Sequence, residues 1–141
     1  MFKIKIITIG KTKEKWLNLA IAEYEKRLSN SCKIELICLK DQDELEKSLT
    51  KEHNYICLDL NGENFSSIEF SKFLINELEE QKSKLAFVIG GSEGLSVQIK
   101  QRAMFSISLS KLTFTHQMSR LILLEQIYRS LEIEKGSHYH K

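Results

Sequence analysis

Three short segments carry side chains that can do chemistry. An apolar run stops at glycines in Phe87-Val88-Ile89-Gly90-Gly91-Ser92-Glu93-Gly94-Leu95. A hydroxyl-rich segment, Ser108-Leu109-Ser110-Lys111-Leu112-Thr113-Phe114-Thr115-His116-Gln117-Met118, leads straight into a long helical pattern. The chain ends in Tyr139-His140-Lys141. A strand that stops at glycines lets a ligand approach bare backbone, because no Cβ stands in the way. Two such loops at the ends of neighbouring parallel strands would form a small-molecule crevice. The spacing Gly90-Gly91-x-x-Gly94 lacks the lysine of a phosphate-binding loop and the spacing of a dinucleotide fingerprint. A tight strand-to-helix turn accounts for these glycines as readily as a ligand loop does.

Other residues invite chemistry less strongly. His138 and His140 offer two metal ligands at a chain end without partners, so no metal site is expected. Arg120 and Arg129 lie nine residues apart and fall on different helix faces; either can bind phosphate or pair with Glu125 or Glu132. No Gly-x-Ser-x-Gly elbow supports a hydrolase. His116 beside Ser110, Thr113 and Thr115 resembles a nucleophile and base, but a role at the start of the helix ranks above it. Cys32, Cys38 and Cys57 are odd in number and not spaced as metal ligands, so they read as reduced, buried thiols of a cytoplasmic protein.

These segments need a scaffold, and 141 residues suffice for one domain over residues 1–141 with a real core. Hydrophobic residues make up 42% and charged residues 28%, and no apolar run reaches membrane-spanning length. The net charge of +2 is uninformative, but from Leu95 onward the bases Lys100, Arg102, Lys111, Arg120, Arg129, Lys135 and Lys141 face only three acids. A second basic cluster, Lys3, Lys5, Lys11, Lys13 and Lys15, lies near the start. Such patches are compatible with a polyanion partner.

Period-2 patterns predict strands over 2–9, 33–39, 55–60, 85–89 and 104–109. The third of these ends at the turn signal Asn61-Gly62. Helical patterns cover 13–28, 41–49, 67–81, 95–103 and 117–133. The first helix carries the stripe Trp16, Ala20, Ile21, Tyr24 and Leu28. The last is apolar over more than one stripe, through Met118, Leu121, Ile122, Leu123, Leu124, Ile127, Tyr128 and Leu131. We read that width as an oligomer interface, with Leu124 and Ile127 in it. Alternating strands and helices predict an α/β fold with a mostly parallel sheet flanked by helices.

The glycine segment, the segment from Ser108 and the Tyr139-His140-Lys141 ending, read with Leu58-Asp59, resemble one family. So do Ile7-Thr8-Ile9-Gly10-Lys11 and Glu23-Tyr24-Glu25-Lys26-Arg27-Leu28. It is the SPOUT methyltransferases, among them the small bacterial enzymes acting on large-subunit ribosomal RNA. The resemblance implies a deep C-terminal trefoil knot, a rare exception to unknotted folds. It further implies a homodimer, bound S-adenosylmethionine, and methyl transfer to N3 of a pseudouridine in 23S rRNA on assembled ribosomes. By motif, the cofactor contacts fall on Leu58, on Gly90, and on Leu109, Ser110, Lys111, Leu112, Thr113 and Phe114. Arg129, Tyr139 and His140 correspond to the RNA-facing catalytic end, with His140 as the best proton acceptor. A non-catalytic RNA- or ribosome-binding module is the competing expectation. The chain departs from the family pattern by a shortened stretch between Leu39 and Tyr55, and by Thr115 where a proline is usual.

Overall fold

The computed structural model describes residues 1–52 and 54–141. Strands and helices alternate: β1 (Phe2–Ile9), α1 (Lys15–Leu28), β2 (Cys32–Leu39), α2 (Gln42–Leu49), β3 (Tyr55–Asn64), α3 (Ser67–Glu80), β4 (Lys84–Val88), α4 (Val97–Arg102), β5 (Phe105–Ser108) and α5 (His116–Lys135). Local sequence sets the starts of several helices. The Asp41 side chain accepts from the Glu44 N–H at 3.0 Å to cap α2. At α3, Ser66 and Glu69 exchange side chain-to-backbone bonds of 3.1 and 2.7 Å, a capping box. Thr115 accepts from the Met118 N–H at 3.1 Å and caps α5.

The five strands form one sheet in the order β2-β1-β4-β3-β5, and every pairing is parallel. On one face α1, α3 and α5 bury Leu17, Leu74 and Leu123 against Ile4, Ile6, Ile56 and Phe87. On the other, α2 and α4 bury Leu45, Leu49 and Ile99 against Ile7, Cys57 and Val88. Strands buried on both faces explain why Leu85 to Ile89 reads as an unbroken apolar run. Among the described residues, no helix is long and apolar enough to cross a membrane.

Four expectations need correcting. The loops after β4 and β5 do not sit on neighbouring strands, because β3 lies between them. β3 does not end at Asn61-Gly62. Leu58 and Glu63 both pair with Ile107, so the residues between them loop out and the strand resumes to Asn64. A Cβ on Gly62 would lie 2.7 Å from the backbone of Ser106 and Ile107, so only glycine lets this excursion lie on β5. Trp16 is 56% exposed and Leu17 takes the buried position on α1. Finally, Leu123, Leu124 and Ile127 of α5 are fully buried within this one chain. Leu124 and Ile127 are therefore core, gripped by α1 and α3, and not interface residues, while Met118, Leu121, Ile122 and Tyr128 of the same helix stay partly exposed.

Candidate active site

The glycine loop after β4 and the Ser108–Phe114 loop after β5 meet beside Leu58, where the excursion of β3 begins. Parallel strands align their C-terminal ends, so the loops that follow crowd together there. A cavity of about 270 Å³ opens between them. Leu58, Gly90, Leu109, Ser110, Leu112, Thr113 and Phe114 all line it. Lys111 is exposed and does not.

Each loop has a local reason for its shape. Gly91 and Gly94 close a turn, with the Gly94 N–H donating to the Gly91 carbonyl at 3.0 Å. A Cβ on Gly90 would fall 2.7 Å from the Gly94 carbonyl carbon. The bare backbone at Gly90 thus admits the rest of its own loop, where the sequence reading expects a ligand. In the third loop the Ser108 hydroxyl donates to the Ser110 carbonyl at 2.7 Å, and the Ser110 hydroxyl accepts from the Leu112 N–H at 3.0 Å. Those bonds hold Leu112 and Phe114 at the cavity while leaving them 71% and 37% exposed.

A profile described as predicted SPOUT methyltransferase matches residues 2–140. The chain belongs to the SPOUT methyltransferase family. It is 50% identical over 141 residues to the ribosomal RNA large subunit methyltransferase H of Protochlamydia amoebophila, covering all of both chains. It is 46% identical to the protein of the same name from Clostridium novyi, covering 98% of this chain and 99% of that one. Among solved structures it resembles a probable methylase family protein from Haemophilus influenzae, with a TM-score of 0.59 at 10% identity, over 98% of this chain and 70% of that one. The SpoU methyltransferase AviRb from Streptomyces viridochromogenes, solved with AdoMet, matches with a TM-score of 0.53 at 9% identity, over 90% of this chain and 57% of that one. At such identities the two structures show a shared fold.

In this SPOUT chain the cavity also takes in residues that motif reading passed over. Asp59, Leu60, Glu93 and Lys100 line it, with Lys100 Nζ 3.7 Å from Asp59 Oδ2. The polar residue next to Leu58 and the acid inside the glycine turn are the only signals that could have found the first and third of these. His116 and Ser119, on the first turn of α5, complete the wall. Burial, then the nearby charges of Arg120 and Lys13, hold the His116 imidazole below its ordinary pKa, so the ring is neutral at pH 7.

Arg120 fixes that first turn in place. It is fully buried, donates to the carbonyls of Ile9 at 2.9 Å and Gly10 at 2.8 Å, and donates to the Thr12 hydroxyl at 2.8 Å. Gln117 adds bonds of 3.1 Å to the Lys11 carbonyl and the Lys13 N–H. The end of β1 and the start of α1 are thereby tied to the cavity wall.

The tail residues come together, but elsewhere. Arg129 pairs with Glu125 at 2.8 Å, its guanidinium lies 4.9 Å from the Tyr139 ring centroid, and the Tyr139 hydroxyl donates to Glu125 at 2.7 Å. Arg129 Nη1 is 3.1 Å from His140 Nδ1. A guanidinium can only donate, so His140 Nδ1 is the acceptor of this bond. None of Arg129, Tyr139 and His140 lines the cavity of its own chain; they gather on Glu125, six residues or ~9 Å along α5 from Ser119. Among the described residues no group of three or more His, Cys, Asp or Glu could hold a metal ion.

Proposed function

We propose that this protein is an S-adenosylmethionine-dependent methyltransferase of the large-subunit ribosomal RNA, acting in the cytoplasm on N3 of a pseudouridine in 23S rRNA within assembled ribosomes. The observation that carries the reading is the meeting of three family-matching segments around one cavity, at the excursion of β3 and the ends of β4 and β5. Support for the substrate comes from relatives named ribosomal RNA large subunit methyltransferase H that match over the full chain.

The cavity suits the cofactor chemically. Leu58, Leu112 and Phe114 offer apolar walls for an adenine, while Asp59 and Glu93 offer carboxylates to hydroxyl and ammonium groups. When bound, the cofactor supplies an electrophilic methyl group on a sulfonium. The chain's part is to hold the acceptor nitrogen in line with that methyl and to take the N3 proton. His116 is the neutral imidazole on the cavity wall, and we assign it the proton. Arg129, Tyr139 and His140 bind the RNA.

A homodimer reconciles the two groups of residues. The tail cluster, gathered on Glu125, is ~9 Å down α5 from Ser119 and does not line its own cavity, so a second copy would bring a tail to each cavity if both serve one reaction. Trp16 and Leu19 on α1, with Leu112 and Phe114 at the cavity, leave large apolar side chains exposed for such docking.

The test is methylation of ribosomes from a strain lacking the gene, with mass spectrometry mapping the product. Transfer to one pseudouridine of 23S rRNA is expected. Cofactor binding by calorimetry without transfer to ribosomes would leave the competing reading, a non-catalytic RNA-binding module.

A further inference from the structure

The sheet carries a second concavity at the end away from the cavity. α2 and α4 have eight and six residues and β1 has eight. At helical and strand rises these are ~12, ~9 and ~26 Å, so the two helices cannot cover their whole face of the sheet. The N-terminal ends of β1, β2 and β4 are left bare. A depression of about 330 Å³ there is lined by Lys3, Lys5, Lys33 and Lys84, with Glu35, Glu52 and Asn54.

Backbone register sets three of these lysines in a row. Lys33 of β2 is directly opposite Lys3 of β1, and Lys84 of β4 is directly opposite Lys3 on its other side. Adjacent strands lie ~4.8 Å apart, so three ammonium stems rise side by side over ~10 Å. Like charges directly opposite on neighbouring strands destabilise a sheet. Two residues further along, the same face reads Glu35, Lys5 and Ala86, and Lys5 is paired with Glu52 at 2.7 Å. That second row is balanced. The first is not: Lys3, Lys33 and Lys84 are exposed, and none is in an ion pair among the described residues.

A row of like charges pinned by backbone pairing is relieved by an anion laid across it. A free phosphate gives one anionic centre to three cations. A polynucleotide backbone gives anions repeated along a line. We propose that the Lys33–Lys3–Lys84 row is a second ribosomal RNA contact that grips the phosphate backbone some distance from the methylated base. From Lys3 to Ile9 is six residues, or ~20 Å along β1 toward the cavity end. The inference rests on the rRNA-substrate reading above.

The experiment measures binding of the cofactor-loaded protein to ribosomes across a range of salt. Comparison is with a triple variant, Lys3→Gln, Lys33→Gln and Lys84→Gln. Each phosphate contact contributes ~0.7–0.9 to the slope of log K against log salt. The triple variant is expected to lose ~2 from that slope and at least about tenfold in affinity at low salt, with S-adenosylmethionine affinity and melting temperature held or raised. The corresponding triple arginine variant keeps the slope. An unchanged slope, with wild type still bound to ribosomes, overturns the lysine row and leaves the rRNA reading standing. Wild type that does not bind ribosomes at all overturns both. Competition of inorganic pyrophosphate for the row, without any change in the ribosome slope, assigns it to a small anion and overturns it too. If the triple variant does not fold, Lys3→Gln alone must lower the slope by ~0.7–0.9.

Discussion

Gly90 and His116 show how neighbours decide what a residue does. A glycine after a buried strand promises room for a ligand, yet the room at Gly90 is taken by Gly94, whose carbonyl carbon would meet a Cβ at 2.7 Å. The residue shapes the loop, and its own backbone still lines the cavity. His116 and His140 present the reverse case. Both are imidazoles in family motifs, but Arg129 occupies the acceptor nitrogen of His140, while burial and two cations keep His116 neutral on the cavity wall. Because the folded pKa of His116 is depressed, the ring is free to accept a proton at and above its ordinary 6.5, and loses that ability only as pH falls below it. The stability linked to this ring has the same sign: present above 6.5, lost on acidification. Wild-type methylation should therefore hold steady from neutral pH down to about that value. His116→Ala should cost about 100-fold at neutral pH, within the range of general-base losses, and recover as pH rises and the pseudouridine N3 ionises unaided. A His140→Ala defect should not recover. A pH-independent defect in His116→Ala would remove it as the proton acceptor.

At the scale of elements, the start of α5 is the part on which the site depends. Its cap comes from Thr115, its wall residues are His116 and Ser119, and its anchor is Arg120. Burial disfavours the Arg120 charge, and no carboxylate partners it among the described residues. Its donors instead bond the carbonyls of half-buried Ile9 and Gly10 at the end of β1. Removing an uncompensated buried charge can stabilise a protein, but each orphaned carbonyl costs ~1–3 kcal/mol, and here there are two. We expect the second effect to win. Arg120→Met should lower stability by ~2–3 kcal/mol in urea denaturation and weaken cofactor binding with it. A variant as stable as wild type would show that α5 is held by its apolar face alone. The helix patterns of α2 and α3 were legible from sequence because apolar period is a property of neighbouring residues. The bulge in β3 was not. Asn61-Gly62 carries a turn signal, and only the backbone of β5, some forty-five residues later, reveals that Gly62 lies flat on a neighbouring strand.

At the scale of the whole molecule, the cavity and the tail are built from one chain but the tail does not line its own cavity, which gives the homodimer proposal a direct test. One variant lacks Tyr139 to Lys141 and keeps its cavity. Another keeps its tail but carries Phe114→Ala and His116→Ala. Each alone should be nearly inactive. Mixed in equal amounts, half the dimers are hybrids with one complete site of two, so about a quarter of wild-type activity should return. No recovery on mixing, or a monomer at micromolar concentration by sedimentation, would sink the shared site. Sequence alone determined the kind and order of the elements, because hydrophobic period is a property of a few adjacent residues. It also marked the segments that matter, since the glycine loop, the Ser108–Phe114 loop and the terminal Tyr139-His140 pair are contiguous motifs. Tertiary structure decided the rest. Strand order put β3 between β4 and β5 and so drew Asp59 into the cavity. Packing against α1 and α3 made Leu123, Leu124 and Ile127 of α5 core. Register lined up Lys33, Lys3 and Lys84, which lie far apart in the chain. Each of these depends on which distant backbones pair, and a local pattern carries no information about its distant partner.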